Sequence, residues 1–257
     1  MSALLINIAY KYIQKALRPV FFTGAGMSAE SGVPTFRDAQ TGLWECFPAE
    51  QLATESAFRA NPARVWGWYE WRRHLVQNTS PHAGHSAIAS YAARYPDTTL
   101  ITQNVDDLHE RAGHQQTIHL HGSLFALRCI DCGHPATLAV NPAQSAEGYM
   151  DPPLCTVCHG MIRPGVVWFG EALPDIAWQQ ACRAIEQCDL FICIGTSGIV
   201  QPAASLPMMA AERQIATIQI NPSVTPLDPY MQINLHLPAG ETLFRLLSDT
   251  YPCANPI

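Results

Sequence analysis

The amino-acid sequence predicts an α/β fold, in which helices cover both faces of a doubly wound, mostly parallel sheet and a smaller module is inserted into that domain. Three observations lead to this prediction. Short apolar runs typical of buried strands alternate with helical or irregular stretches. A glycine-rich turn directly follows the first apolar run. Two C-x₂-C pairs lie in a stretch that interrupts the alternation.

Length and composition limit the possible functions. The chain has 257 residues, which is enough for one large domain with an insertion. Hydrophobic residues make up 48% of the chain and charged residues only 14%, so extensive burial is expected. The net charge of −6 offers no basic field for nucleic acid phosphates, and no apolar run reaches the length of a membrane span. We therefore expect neither nucleic acid nor membrane as a partner.

The first segment, MSALLINIAYKYIQKALRPV, is basic and contains no acidic residue. A transit peptide has that composition. The apolar periodicity instead favours an amphipathic helix that leads straight into the first strand. We expect a cytoplasmic protein.

Five apolar runs predict the strands of a Rossmann-like domain: PVFFT, TTLIT, DLFICIG, ATIQI and INLHL. We assign residues 1–43, 81–126 and 163–257 to that domain. Two stretches break the pattern. Residues 44–80 look helical, and residues 127–162 contain the cysteine pairs. Together they are expected to form a small domain, made of a helical module and a zinc ribbon.

The first predicted strand runs into TGAGMSAESGVPTFRDA. Glycines at this point let the backbone approach a pyrophosphate, and the next helix directs its N–H groups at it. Pro34 ends that helix early, and TFRD follows where a dehydrogenase would have a long helix and a second strand. A dehydrogenase therefore fits poorly. Phe36 and Arg37 instead predict a loop that covers a bound dinucleotide.

Polar residues follow the second strand in TQNVDDLHERAG. Gln103, Asn104 and Asp106 lie at a strand's carboxyl end, where they can bond a carboxamide and ribose hydroxyls. Asp106 is equally well placed to cap the next helix. His121 comes directly before a glycine, where a ligand can approach, but His119 shares its face of the strand. The spacing alone does not decide between the two histidines.

Four of the nine cysteines form two pairs that are separated by 22 residues: Cys129, Cys132, Cys155 and Cys158. Two such pairs can place four thiolates around one Zn²⁺, and two disulfides or a thioredoxin-type redox pair are the alternatives. Both pairs resemble tight turns rather than a redox helix. We expect one structural zinc ion without a catalytic role, because four cysteines close its coordination sphere.

The stretch VWGWYEWRRHLV places Val65, Tyr69, Arg72 and Val76 on one helical stripe. Such a stripe normally faces a core, so a phenol and a guanidinium on it are unexpected. Their i,i+3 spacing turns both groups to the same side.

Other arrangements could explain these residues. Trp68 and Arg72 are spaced i,i+4 and could form a cation–π pair. Arg73 is expected to pair with Glu70 on the outer face of the helix. A nucleic acid patch is not supported, because one Arg–Arg pair in an acidic chain is too little.

Several motifs occur in an order that resembles the sirtuins: GAGMSAESGVPTFR, TQNVDD, HG at His121, the two C-x₂-C pairs, GVVWFGE, GTS and IN. The resemblance covers nearly the whole chain. It implies an NAD-dependent protein lysine deacylase that acts on acyl-lysine proteins or peptides. Its products would be free lysine, nicotinamide and 2′-O-acyl-ADP-ribose.

The resemblance also implies site residues. His121 would be the general base, which suits a group whose ordinary pKa lies near working pH, and Asn104 would assist it. Phe36 would fold over the site once nicotinamide has left. NAD would be bound by Gly24, Ala25, Gly26, Ser28, Phe36, Arg37, Gln103, Asn104, Asp106, Gly195, Thr196, Ser197, Asn221 and Ala239.

For the substrate, the resemblance implies that GVVWFGE binds the peptide main chain as an added strand, flanked by Val167, Gly170 and Glu171.

In the class III branch, which includes desuccinylases, a Tyr-x-x-Arg pair lines the acyl pocket. Tyr69 and Arg72 match that pair, and Ala53 matches the small residue that enlarges the pocket. An arginine can bind the carboxylate of a succinyl, malonyl or glutaryl group in two parallel bonds. We expect weaker activity on acetyl groups.

Two other classes of function stay open. An NAD-using ADP-ribosyltransferase would cleave the same cofactor and transfer ADP-ribose to protein. A non-enzymatic adaptor would bind partners through its zinc module, with NAD only stabilising the fold. The intact set of His121, Asn104 and Asp106 argues against an inert protein.

Overall fold

A computed structural model describes residues 2–35, 52–138 and 148–248. Phe36 and Arg37, which are predicted to cover the cofactor, lie outside the described residues, so their role stays a prediction.

The strands form two sheets. A parallel sheet of six strands has the order β3-β2-β1-β7-β8-β9, and a smaller antiparallel sheet has the order β5-β4-β6. The strands are β1 (Pro19–Thr23), β2 (Thr99–Thr102), β3 (Thr117–His119), β4 (Gly122–Cys129), β5 (Pro135–Ala136), β6 (Ile162–Val166), β7 (Leu190–Ile194), β8 (Ala216–Ile220) and β9 (Ile233–Leu235). Each of the five apolar runs provides one strand of the parallel sheet, as predicted.

Helices lie on both faces of the parallel sheet. The described helices are α1 (Ser2–Lys15), α2 (Gly26–Ala29), α3 (Glu55–Ala60), α4 (Pro62–Gln77), α5 (Ala83–Arg94), α6 (Leu108–Arg111), α7 (Asp175–Gln187), α8 (Ser205–Glu212) and α9 (Ala239–Leu247), with a short 3₁₀-helix at Asp228–Tyr230. Successive side chains of a strand point to opposite faces. Phe21 accordingly packs with α1, α5 and α9, whereas Phe22 packs with α7 and α8. The prediction of a doubly wound sheet is confirmed.

The first helix forms where its apolar periodicity predicts it. Ile6, Ala9 and Ile13 lie on one stripe of α1, and all three are buried in the core of the parallel sheet. Among the described residues, no helix combines the length and apolar character that a membrane crossing requires.

The helical and cysteine-bearing stretches share one core. Phe58 of α3 and Val65 of α4 pack in the same cluster as Leu124 of β4 and Ile162 of β6. Helix α4 begins where Asn61 accepts a hydrogen bond from the N–H of Arg64, with a proline in the first turn. The two pieces of the predicted small domain therefore pack together.

The antiparallel sheet joins this small core to the larger one. Strand β4 runs across the predicted boundary between residues 126 and 127, and β6 runs across the boundary between 162 and 163. The division of the chain into residue ranges stays a prediction. The sequence did not predict β4 as part of a sheet, because an irregularity between Ser123 and Arg128 breaks the alternation that marks a strand.

Candidate functional site

The turn after β1 lies directly against the loop after β7 at the carboxyl edge of the sheet. The N–H of Gly26 donates to the carbonyl oxygen of Gly195 at 2.8 Å. A Cβ on Gly26 would lie 2.8 Å from the Cα of Gly195, and a Cβ on Gly195, whose φ is 59°, would lie 2.3 Å from the nitrogen of Met27. Gly24 is equally close to Thr196. These glycines are thus required for the contact between the two loops, apart from any ligand.

Ser28, Asn104 and Asp106 form a buried hydrogen-bond network beside this turn. The Ser28 hydroxyl donates to Asp106 Oδ2 at 2.9 Å, and Asn104 Nδ2 donates to Ser28 Oγ at 3.0 Å. Asp106 Oδ1 accepts from the N–H of Leu108, the first residue of α6, at 3.1 Å, although the N-cap position is Asp107, whose side chain makes no cap bond. Burial raises the pKa of Asp106 against the opposing hydrogen bonds from Leu108 and Ser28. Asp106 is therefore not the N-cap of α6, but its carboxylate bonds to the first N–H of that helix and to Ser28 at the same time.

His121 is held through one ring nitrogen. Its Nδ1 lies 3.0 Å from the carbonyl oxygen of Gln103. Because a carbonyl oxygen can only accept, Nδ1 carries the proton and Nε2 of the neutral ring keeps its lone pair. Burial lowers the pKa of His121, although the bond to Gln103 opposes that shift. The ring is therefore neutral at pH 7 and able to accept a proton.

His119 differs from His121 because each of its two ring nitrogens donates a hydrogen bond to an acceptor. Its Nε2 lies 2.9 Å from Glu110 Oε1, and its Nδ1 lies 3.2 Å from the carbonyl oxygen of Asn104. Burial lowers the pKa of His119, but the hydrogen bond and charge of Glu110 outweigh it and the pKa is raised. A ring with two donors in use has no lone pair for a substrate. Of the two histidines, His121 has the geometry of a base.

Thr196, which follows β7, is held by side chains that follow two other strands of the sheet, β2 and β8. Gln103 Nε2 donates to Thr196 Oγ1 at 2.8 Å, and Asn221 Nδ2 donates to the carbonyl oxygen of Thr196 at 2.8 Å. Ser197 follows and is partly exposed. These residues meet at the carboxyl edge, where open α/β sheets bind ligands.

Ala25 and Ala239 lie at the starts of two helices that meet near this edge. Ala25 directly precedes α2, and Ala239 begins α9 and is buried. Glu30, just after α2, accepts a hydrogen bond from the N–H of Gly240 at 2.8 Å. This bond joins the start of α9 to the turn after β1.

The four cysteines form one cluster. The Sγ atoms of Cys129, Cys132, Cys155 and Cys158 all lie within 4.8 Å of one another. Cys129 and Cys158 are 3.4 Å apart and Cys132 and Cys155 are 3.7 Å apart, well beyond a disulfide bond of about 2.05 Å. Zinc–sulfur bonds of about 2.3 Å give a tetrahedron with edges of about 3.8 Å. The donor set therefore fits one zinc ion.

Both cysteine pairs lie in turns that end in the left-handed region. Gly133 follows the first pair with a φ of 71°, and His159 follows the second with a φ of 61°. Their N–H groups bond back to the carbonyl oxygens of Cys129 and Cys155, at 3.1 and 3.0 Å. These tight turns match the expected geometry and differ from the helix of a redox pair.

Tyr69 and Arg72 lie three residues apart on α4, and Tyr69 belongs to the small core. Tyr69 is buried, and its hydroxyl accepts a hydrogen bond from Trp168 Nε1 at 2.9 Å. Burial raises the pKa of Tyr69 to about 12, against the opposing charge of Arg72. Burial lowers the pKa of Arg72, against the opposing charges of Tyr69 and Asp106. Arg72 therefore lies within electrostatic reach of Asp106 at the sheet edge.

The cation–π pair that the spacing suggests is present. The guanidinium carbon of Arg72 lies 5.0 Å from the centroid of a Trp68 ring. This contact orients the side chain of Arg72 but does not exclude a further partner for its N–H groups.

Arg73 pairs with Glu70, as expected, but the predicted position on the outer face is wrong. Both side chains are buried, with exposures of 3% and 2%. Arg73 Nη2 also donates to the carbonyl oxygen of Leu138 at 3.2 Å, and its guanidinium lies 5.9 Å from the Phe125 ring. The reason is that the cysteine-bearing module covers this side of α4.

The loop after β6 links the histidine to the helical module. The N–H of Val167 donates to the carbonyl oxygen of His121 at 2.8 Å, and the N–H of Phe169 donates to that of Ala53 at 2.9 Å. Gly170 has a φ of 88°, which favours glycine. The loop after β6 therefore contacts both His121 and Ala53 through its main chain.

Glu171 is directed into its own loop. Its carboxylate forms an ion pair with Arg163, and Oε2 accepts from the N–H of Trp168 at 2.8 Å. Arg163 and Trp168 were missed by sequence analysis. In the sequence, the motif GVVWFGE draws attention to this loop, but it does not indicate that Arg163 packs against Trp168.

A doubly wound parallel sheet with a glycine turn at its carboxyl edge defines an α/β protein of the dinucleotide-binding class. The four-cysteine module adds a group that could hold a structural zinc ion. The Sir2 family model matches residues 24–202 of this chain. The chain belongs to the Sir2 family, the sirtuins.

Individual relatives are similar over most of their length. An NAD-dependent protein deacylase of Methylococcus capsulatus is 53% identical over 228 residues, which cover 88% of this chain and 89% of that protein. One of Pseudomonas putida is 47% identical, covering 94% of this chain and 93% of that protein. A crystal structure of a Sir2 homologue in complex with NAD is 44% identical, with a TM-score of 0.84, and covers 93% of this chain and 91% of that chain.

Proposed function

We propose that the protein is an NAD-dependent protein lysine deacylase that prefers acyl groups ending in a carboxylate and removes acetyl groups more weakly. The names of its relatives and the NAD complex of a Sir2 homologue support the reaction and the cofactor. The preference depends on one observation, the pairing of a buried Tyr69 with Arg72 on α4, where Arg72 is within electrostatic reach of Asp106 at the sheet edge.

NAD is the expected cosubstrate at the sheet edge. When bound, it supplies the ribose carbon that the acyl-lysine oxygen attacks as nicotinamide leaves. The glycine turn approaches the phosphates by its backbone. Ser28 offers a hydroxyl, Asn104 an amide and Asp106 a carboxylate to the nicotinamide ribose and carboxamide. Gln103, Thr196, Ser197, Asn221 and Ala239 line the rest of the same edge.

His121 acts as the general base. Its Nδ1 is anchored on Gln103, so Nε2 is the atom that takes the proton from a ribose hydroxyl. The lowered pKa keeps that nitrogen unprotonated at neutral pH. Asn104 is fixed by Ser28 and assists in orienting the ribose. The zinc ion has a structural role only, because its four ligands leave no open position.

The substrate peptide adds a strand along the loop after β6. Main-chain hydrogen bonds from Val167 to His121 and from Phe169 to Ala53 hold this loop in place beside the base. Glu171 stabilises the loop through Arg163. The acyl-lysine would enter beside His121 with its acyl end toward α4.

At the acyl end, Arg72 gives a substrate carboxylate a charge-assisted partner. Ala53 is small and buried, its carbonyl oxygen bonds to Phe169 of the loop, and a residue of this size would occupy little of a pocket for a succinyl, malonyl or glutaryl group. The site is partly desolvated, so the attraction is stronger than in water. Acetyl-lysine brings no carboxylate and leaves the arginine without that gain.

The direct test uses NAD and matched acetyl-, succinyl-, malonyl- and glutaryl-lysine peptides, with products measured by mass spectrometry. We expect nicotinamide and deacylated peptide, formed faster from the three acidic acyl groups. Equal or faster deacetylation would contradict the acyl preference. Transfer of ADP-ribose to protein without deacylation would contradict the deacylase itself.

A further inference from the structure

The tyrosine of the proposed acyl pocket has its own hydrogen-bond donor. Trp168 Nε1 lies 2.9 Å from Tyr69 Oη, and the two side chains are 1% and 2% exposed. Their rings are 6.4 Å apart at the centroids. Water therefore does not compete for this hydrogen bond.

The indole that donates this bond is held from several sides. The guanidinium carbon of Arg163 lies 3.4 Å from the centroid of a Trp168 ring, and the Phe58 ring lies at 5.4 Å. Arg163 in turn donates to the carbonyl oxygen of Val166 and to Glu171 Oε2, both at 3.0 Å. The same Glu171 oxygen accepts from the main-chain N–H of Trp168. Side chain and backbone of Trp168 are thus fixed by one ion pair.

This bond sets the direction of the tyrosine hydroxyl. An indole N–H can only donate, so Tyr69 Oη must accept. The hydroxyl hydrogen is then left for a different acceptor. Arg72 cannot take it, because a guanidinium has donors only. Within the described residues no acceptor takes that hydrogen, so the hydroxyl is poised to donate to a ligand.

We propose that Trp168 is a positioning residue for acyl selectivity, because its indole N–H makes the Tyr69 hydroxyl a donor toward the acyl end of the substrate. This inference rests on the proposed acyl pocket. It narrows the substrate class to acyl groups whose far end accepts hydrogen bonds from both Tyr69 and Arg72. A carboxylate has four lone-pair sites and satisfies both donors, whereas an acyl group ending in a protonated amine has no acceptor and satisfies neither.

The test is a double-mutant cycle. Trp168→Phe keeps an aromatic ring in the core and removes the N–H, and Tyr69→Phe removes the hydroxyl. For each variant, kcat/KM is measured on succinyl- and acetyl-lysine peptides. We expect Trp168→Phe to lower the succinyl-to-acetyl ratio about two- to tenfold, the range of one neutral hydrogen bond. In the Tyr69→Phe background, the same change should leave the ratio unaltered.

Trp66→Phe is the matched control, because it shortens another buried tryptophan of the same core. It should lower both activities by one factor and leave the ratio as it is. If Trp168→Phe folds poorly, benzothienylalanine at position 168 keeps the shape of the indole without its N–H and should give the same fall in ratio.

Two results would overturn the inference. One is an equal loss of both activities in Trp168→Phe. The other is a fall in ratio that persists in the Tyr69→Phe background. If the wild type prefers succinyl and Arg72→Met abolishes that preference while Trp168→Phe does not, only this inference fails. If the wild type has no such preference, the proposed acyl pocket fails with it.

Discussion

The edge of the parallel sheet and the region around α4 are built in different ways. At the sheet edge, positioning depends on residues that directly follow strand ends and on main-chain contacts between their loops, as in the bond from His121 to the carbonyl oxygen of Gln103 and the contact of Gly26 with Gly195. Around α4, side chains hold side chains, as in the Trp168–Tyr69 bond. The geometry of the first region follows from where strands end, whereas that of the second depends on individual residues.

The difference suggests that reaction chemistry and acyl preference are separable. Changes at the sheet edge should affect every acyl-lysine substrate to the same extent. Changes around α4 should either alter the ratio between substrates or alter stability. Variants in each region therefore test whether the two properties are separable.

The largest effect is expected at the base. His121→Tyr removes the proton acceptor and should lower deacylation about 10²- to 10⁴-fold on all acyl peptides, with the fold retained. Product formation is measured by mass spectrometry and folding by thermal unfolding. His119→Gln is the matched control, since that ring is bonded to Glu110 and Asn104. Full activity in His121→Tyr, with loss in His119→Gln, would identify the other histidine as the base.

A smaller, indirect effect is expected at the cysteine cluster. Cys129→Ser removes one of four ligands and should lower zinc content, stability and all activities together, by about tenfold or more in activity. Zinc is measured by elemental analysis and stability by thermal unfolding. Cys182→Ser, at a half-buried thiol outside the cluster, should change none of these. Freshly purified wild-type protein without zinc would refute the site.

The buried ion pair of α4 should affect stability without affecting preference. Arg73→Met leaves Glu70 as an uncompensated buried charge and should lower the free energy of unfolding by about 3–5 kcal/mol. Arg59→Met, at an exposed ion pair with Glu55, should leave stability nearly unchanged. Denaturant unfolding measures both. A change in the succinyl-to-acetyl ratio in folded Arg73→Met would show that the two roles of α4 are not separable.

The smallest effect concerns the His119–Glu110 pair at the sheet edge. The raised pKa of His119 gives stability that is complete below its unfolded pKa of about 6.5 and is lost as pH rises through the folded pKa. The lowered pKa of Glu110 gives stability that is complete above about pH 4.5 and is lost as pH falls through the folded pKa. Wild type should therefore exceed His119→Gln in stability most between about pH 4.5 and 6.5. A difference that does not vary with pH would contradict this coupling.

Local signals made much of the fold predictable. The stripe of α1, the five strand runs and the cysteine spacing each depend on residues that are close in sequence. The irregularity in β4 removed the alternation that would have revealed the antiparallel sheet. A helical stripe shows which side chains share a face but not what covers it, which is why the burial of Arg73 was missed.

Some residues of the candidate site could also be predicted from local sequence, whereas others depend on contacts between distant parts of the chain. Gln103, Asn104 and Asp106 follow a strand end and could be placed from sequence. Spacing alone did not decide between His119 and His121; the resemblance to the sirtuins favoured His121, and the distances to their acceptors give the physical reason. The bond between Tyr69 and Trp168 joins residues 99 positions apart, and no local pattern reports it.

The central claim is that Arg72 selects acyl groups that end in a carboxylate, and one variant tests it most directly. Arg72→Met keeps much of the stem and removes the charge, and kcat/KM is measured on succinyl- and acetyl-lysine peptides with Arg59→Met as control. Because a charge-assisted bond contributes about 1.5–3 kcal/mol, desuccinylation should fall about ten- to a hundredfold while deacetylation stays level or rises. If both activities fall by the same factor, Arg72 is a structural member of α4 and the claim is contradicted.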